Sequence, residues 1–92
     1  MNNKDKSMQL LKALVEQNDN DLKEMKSFML SLNYDSCKKL AHKMKSGANM
    51  LGIKKMISIL CDIEESENEL DTKIALLEKI INDVKEEIES RY

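Results

Sequence analysis

The chain has no proline and only two glycines in 92 residues, so very little in it interrupts a regular backbone. Leu, Ile, Met, Lys and Glu dominate the composition and favour helix over strand, and aromatic residues make up only 3%. The sequence therefore predicts an all-α protein. Its length suits one domain over residues 1–92, near the lower limit for a single hydrophobic core.

A polar run at residues 18–20 predicts a break between the first two helices. A short N-terminal helix is expected over residues 7–17, with Leu14 on its apolar face. A second helix is expected over residues 21–32, where apolar residues repeat at spacings of three and four. Most methionines on the apolar stripes are assigned to packing. These methionines are Met25, Met29, Met44, Met50 and Met56.

Three further helices complete the predicted fold. Asp35 is placed to cap a helix over residues 37–51, which should end at Gly52 because glycine readily adopts a left-handed conformation. Residues 56–63 mark the next helix, and Asp71 is placed to cap the last one. That last helix has heptad-spaced apolar residues at Ile74, Leu77, Ile81, Val84 and Ile88. Short connections favour antiparallel neighbours, so we expect an antiparallel four-helix bundle with the additional short N-terminal helix beside it.

Charge and cysteine content exclude several classes of function. The formal net charge is −2, and the 15 basic residues are interspersed with 17 acidic ones, which argues against nucleic acid as a partner. No apolar run approaches the roughly 20 residues needed to span a bilayer, and no signal peptide is evident, so a cytoplasmic protein is expected. Cys37 and Cys61 lack companion ligands for zinc and are expected to be reduced thiols.

His42 is the only histidine, and helical geometry turns it away from the apolar residues around it. With about 100° per residue, one apolar stripe contains Cys37, Leu40, Ala41, Met44, Ala48 and Leu51. His42 falls about 140° from Cys37 on the same wheel. A lone histidine is most often a hydrogen-bonded core residue or a surface residue without a role. The position of His42 on the helical wheel excludes the first of these.

The segment from Ala41 to Lys45, followed by Gly47 and Gly52, resembles the signature of histidine-containing phosphotransfer (HPt) domains. In that signature, Ala-His-x-Leu-Lys-Gly leads to a later Leu/Ile-Gly. Glu64 falls where the family often has a glutamate at the end of the next helix. The resemblance covers about residues 21–65, and the flanking helices agree only in their apolar pattern.

The resemblance implies a phosphorelay function. His42 would accept a phosphoryl group on Nε2 from a receiver-domain aspartate, or from a kinase, and pass it to another receiver aspartate. Lys45, one turn along the same face, would stabilise negative charge on the phosphoryl oxygens. Glu64 could accept a hydrogen bond from Nδ1 and fix the tautomer that leaves Nε2 free.

The expected partners are a response-regulator receiver domain and a sensor or hybrid histidine kinase. Ser46, Asn49 and Lys38 are candidate partner-binding residues: Ser46 replaces the glycine usual after the lysine, Asn49 lies two turns from His42, and Lys38 adds positive potential. Gly47 faces away from His42 on the wheel and could serve helix packing. The chain is expected to have no cofactor of its own, with Mg²⁺ coming from the partner receiver.

Two other classes of function stay open. The chain has no Gly-rich phosphate loop, so we expect a phosphocarrier without ATP binding or kinase activity rather than an enzyme. A non-catalytic helical adaptor or dimerisation module would explain the heptad pattern and would leave His42 without a role. A small hydrolase that uses His42 as a base would need an adjacent nucleophile and an oxyanion site.

Overall fold

A computed structural model of the chain describes residues 3–91, and the side chains of residues 9–90. This part of the chain contains no strand and four α-helices: α1 (Asn3–Leu30), α2 (Tyr34–Leu51), α3 (Lys54–Glu65) and α4 (Leu70–Arg91). Both α1 and α3 pack against α2 and α4. The connections are two to four residues long, so successive helices run antiparallel and close into a four-helix bundle. The expectation of an all-α protein is confirmed.

The prediction of a separate N-terminal helix is wrong, because α1 continues through residues 18–20 without a break. Three polar side chains in or next to this part of α1 have a partner on another helix. Asn18 donates to Met56 Sδ on α3 at 3.8 Å, Asp19 lies 3.5 Å from Lys85 Nζ on α4, and Asp21 lies 3.6 Å from Lys43 Nζ on α2. These contacts and the packing around them outweigh the weak helix propensity of Asn and Asp.

The core lies between the four helices and is aliphatic and rich in methionine. Met25, Met44 and Met56 are almost completely buried, in agreement with their assignment to packing. Met50 is an exception, since its side chain is 64% exposed near the end of α2. The predicted apolar stripe of α2 faces the core through Cys37, Leu40, Ala41, Met44 and Ala48.

The two ends of α2 differ in how well the sequence predicts them. Gly52 adopts the left-handed conformation that the sequence predicts, with φ 69°, and its N–H donates to the last carbonyls of the helix. The prediction that Asp35 caps the helix is wrong, because Asn33 is the cap and its side chain accepts a hydrogen bond from Ser36 N at 3.3 Å. The preceding turn decides this, since Asn33 N donates to Phe28 O and reverses the chain two residues earlier.

Two further expectations at helix ends are corrected. Asp71 does not cap α4, because the helix begins at Leu70 and Asp71 lies in its first turn, where it accepts a hydrogen bond from Thr72 N. Leu32 does not extend the apolar stripe of α1, because the helix ends at Leu30 and Leu32 lies in the turn with φ 60°. Its side chain is 70% exposed. The buried residue Leu70 begins α4, and the turn at Leu32 follows the end of α1, so residue type alone does not place these two boundaries.

We expect the two glycines to respond to alanine with opposite signs. A Cβ on Gly47 would meet Asn18 Oδ1 on α1 at 3.6 Å, which is ordinary contact, so Gly47→Ala should stabilise the fold by about 0.5–1 kcal/mol through helix propensity. Gly52 has φ +69°, so Gly52→Ala should destabilise it by about 1 kcal/mol. Urea denaturation measures both. A loss of stability in Gly47→Ala would show instead that the packing of α1 against α2 leaves no room for a Cβ at this position.

Candidate functional site

The exposed face of α2 presents His42 to solvent. The side chain of His42 is 75% exposed, while the residue before it, Ala41, is completely buried. Lys39, Lys43 and Ser46 are also exposed on this helix. The imidazole therefore lies on an open helix surface that a partner macromolecule can reach.

Glu64, in the last turn of α3, contacts the ring of His42. Its Oε1 lies 2.6 Å from His42 Nδ1. The neighbouring residue Ile63 is completely buried, so the packing of α3 directs Glu64 toward α2. An ionised carboxylate can only accept hydrogen bonds, so Nδ1 carries the proton and donates it. In the neutral ring, Nε2 then has the free lone pair.

Lys45 binds the second oxygen of the same carboxylate. Lys45 Nζ donates to Glu64 Oε2 at 3.0 Å, and both side chains are 24% exposed. The hydrogen bond from Lys45 holds the pKa of Glu64 below its ordinary value of 4.5; partial desolvation opposes this effect, and the bond with His42 adds to it. The bond with Glu64 raises the pKa of Lys45 above 10.5. The three residues form one hydrogen-bonded group across α2 and α3.

The predicted partner-binding residues lie near this group without joining it. Lys38 is partly exposed, with Nζ 3.9 Å from Glu67 Oε2. Ser46 and Asn49 are exposed on α2, one and two turns after His42, and neither forms a side-chain hydrogen bond within the described part of the chain. The structure thus brings together His42, Lys45 and Glu64 and leaves the other candidates on the surrounding surface.

A buried carboxylate beside the site was missed from the sequence. Asp21 on α1 is 3% exposed, accepts a hydrogen bond from Gln17 Nε2 at 3.0 Å and pairs with Lys43, the residue after His42. The sequence prediction placed Asp21 at the start of a separate helix. A continuous α1 is what turns it toward α2, and the spacing of Asn18 and Asp21, one helical turn apart, is the only signal that could have suggested a shared buried face.

Comparison with known families identifies the chain. The sequence profile described as Hpt domain matches residues 9–90, which is most of the chain. The chain is an Hpt domain. Searches of curated proteins and of solved structures found no match. Hpt domains carry out histidine phosphotransfer in phosphorelays of two-component signalling, as phosphocarriers without kinase activity of their own, and they interact with receiver domains and kinases.

The resemblance inferred from residues 41–52 is therefore confirmed at the level of the family, and the match extends well beyond those residues. Over the described residues, no helix of this Hpt domain is long and apolar enough to cross a membrane. No group of three or more His, Cys, Asp or Glu side chains in the same part of the chain is placed to hold a metal ion.

The pKa shifts predict how Glu64 contributes to stability. Because the pKa of Glu64 is lowered, its contribution is present above its ordinary pKa of 4.5 and is lost as the pH falls through the lower folded value. Because the pKa of Lys45 is raised, its contribution is present below 10.5 and is lost as the pH rises through the higher folded value. Glu64→Gln should therefore lower the free energy of unfolding at neutral pH and have little effect well below pH 4.5.

Urea denaturation of wild type and Glu64→Gln, at neutral pH and well below pH 4.5, tests this expectation. Glu65→Gln is the matched control, since Glu65 is exposed at the same helix end and a neutral residue there leaves the Glu64 contacts in place. An equal effect of Glu64→Gln at both pH values would show that the charge of this carboxylate does not stabilise the fold.

Proposed function

We propose that His42 is the phosphoacceptor of this Hpt domain. The observation that carries the proposal is the exposed ring of His42, whose Nδ1 is engaged by Glu64 at 2.6 Å and whose Nε2 is left as the nucleophile. The lone pair of Nε2 attacks the phosphorus of an aspartyl phosphate on a receiver domain. An N–P bond forms, the P–O bond to the acyl group breaks, and the aspartate carboxylate leaves with the electron pair.

Glu64 acts on the ring as a positioning residue. Phosphorylation of Nε2 while Nδ1 keeps its proton makes the ring cationic, and the carboxylate beside Nδ1 stabilises that charge. In the onward step, a second receiver aspartate attacks the phosphorus, the N–P bond breaks, and His42 leaves as the neutral Nδ1–H tautomer. The same hydrogen bond therefore supports both acceptance and release of the phosphoryl group.

Lys45 supplies positive charge for the phosphoryl oxygens. Its ammonium is held one helical turn from His42 by the carboxylate that also binds the ring. A phosphoryl group on Nε2 brings new anionic oxygens to this face of α2, and a flexible lysine side chain can pair with them. Lys45 thus complements charge that appears only during transfer.

The partner completes the site. We propose that Lys38, Ser46 and Asn49 contribute to the surface on which a receiver domain docks, because they flank His42 on the exposed face of α2. We also propose that the Mg²⁺ used in transfer comes with the receiver, and that a sensor or hybrid histidine kinase is the source of phosphate upstream. We further propose a cytoplasmic location; Cys37 and Cys61 are not bonded to each other, and unpaired thiols are usual in a reducing compartment.

Phosphoryl uptake tests the acceptor. Purified protein is mixed with a phosphorylated receiver domain and Mg²⁺, and we expect a label that is labile in acid and stable in base. His42→Gln should abolish the label, because the chain has no other histidine. Circular dichroism is used to check that the variant is still folded. A label retained by folded His42→Gln would overturn the assignment of His42, and a folded wild type that no receiver or kinase labels would favour an adaptor role.

The role of Lys45 predicts a change in rate. Lys45→Gln should slow phosphoryl acceptance about tenfold, less than the loss seen when a donor is removed from an enclosed site, because this site is open to water. Lys79→Gln is the control, since Lys79 is exposed on α4, which does not pack against α2 over the described residues. Rapid-quench measurement of the labelled fraction gives both rates. Equal rates for the two variants would show that Lys45 does not act on the phosphoryl group.

A further inference from the structure

Glu64 stands at an electrostatically unfavourable end of its helix. It lies in the last turn of α3, where the helix dipole is negative, together with Asp62 and Glu65. That turn contains no basic residue, and the helix ends at Ser66 in an extended conformation rather than at a left-handed glycine. The end of α3 therefore needs a cation and hydrogen-bond donors from elsewhere in the fold.

Lys73, in the first turns of α4, supplies both. Its Nζ donates to Asp62 O at 3.2 Å and to Ser66 O at 2.9 Å. These two carbonyls lie on either side of Glu64 in the chain, one within the last turn of α3 and one at its cap. The ammonium thus ties together the backbone segment from which Glu64 projects, and its charge offsets the negative end of the dipole.

The position of Lys73 is itself fixed by the core. Its backbone N donates to Glu69 O at 3.0 Å, and two residues of the same helix turn, Leu70 and Ile74, are 5% and 2% exposed. Lys45 binds the side chain of Glu64 and not this backbone. Lys38 lies 3.9 Å from Glu67, and both of those side chains are substantially exposed. Such a distant, solvated pair holds a backbone weakly. Lys73 therefore holds the end of α3 more firmly than Lys38 does.

We propose that Lys73 is a positioning residue for phosphotransfer, which holds the end of α3 so that Glu64 can engage His42 Nδ1 and Lys45 Nζ at the same time. This inference rests on the proposed function of His42 only where it concerns the rate of phosphoryl transfer. The two oxygens of Glu64 contact two different side chains of α2 at 2.6 and 3.0 Å. Displacement of the Glu64 backbone by a fraction of an ångström lengthens at least one of these hydrogen bonds.

The first readout is the tautomer of His42. In Lys73→Met, which keeps the apolar stem and removes the ammonium, ring ¹⁵N chemical shifts at a pH where the ring is neutral should show a smaller fraction of the Nδ1–H form. Phosphoryl acceptance should slow about threefold to tenfold. Lys73→Arg should restore both, because its guanidinium can donate to the same two carbonyls. Lys79→Met, on the exposed surface of the same helix, is the matched control.

A double variant separates positioning from general loss of stability. In a Glu64→Gln background, Lys73→Met should have little further effect on the rate, because the two residues act through one contact. The proposal is overturned if Lys73→Met gives the tautomer ratio of Lys79→Met, or if its effect on the rate persists in full in the Glu64→Gln background. If Lys73→Met loses helicity in circular dichroism, the milder Lys73→Gln is compared in the same way. The tautomer measurement needs no phosphate donor, so a shifted ratio without phosphotransfer would refute the proposed function and leave the role of Lys73 standing.

Discussion

Packing of α2 against α3 is the constraint on which the site depends. Each of the three residues in the hydrogen-bonded group directly follows a residue that is almost completely buried. Ala41, Met44 and Ile63 point into the core and are 0%, 2% and 0% exposed. Since successive residues of a helix are separated by about 100°, burial of these three fixes the directions of the residues that follow them. The core therefore sets the geometry of the surface site.

The carboxylate of Glu64 on α3 connects the two functional side chains of α2. One oxygen holds the proton-bearing nitrogen of the His42 ring and the other holds the ammonium of Lys45. A neutral imidazole with a defined tautomer, a cation nearby and an anion to balance the ring's charge are the parts that phosphoryl transfer requires. They lie on an open helix face, so the proposed transfer requires a docking partner to exclude water and complete the site. That arrangement suits a phosphocarrier better than an enzyme that acts alone.

The polar residues of α1 show how the bundle overrides local preference. Asn18, Asp19 and Asp21 have weak helix propensity, and the sequence pattern around them predicts a break. In the folded protein each contacts a different helix, and the gain from those contacts and from continuous packing outweighs the local preference. A single long α1 then spans the bundle, so the chain has four helices over its described residues where the sequence predicts five.

The two ends of α2 show the same contrast between local preference and tertiary structure. Gly52 could be predicted because its left-handed conformation is a property of one residue type, whereas Asn33 replaced Asp35 as a cap because a turn formed with Phe28 reverses the chain earlier. Asn and Asp cap about equally well, so residue type alone does not choose between them.

The sequence by itself determined the helical class, the buried stripe of α2 and the outward direction of His42, because helical periodicity and residue type are local properties. Its motif also indicated the family that the profile match over residues 9–90 shows. Only the tertiary structure decided that Glu64 reaches His42 across 22 positions of sequence and that Lys73 ties down the helix end that carries Glu64. Those contacts join side chains and backbone of different helices, and their distances depend on how the whole bundle packs.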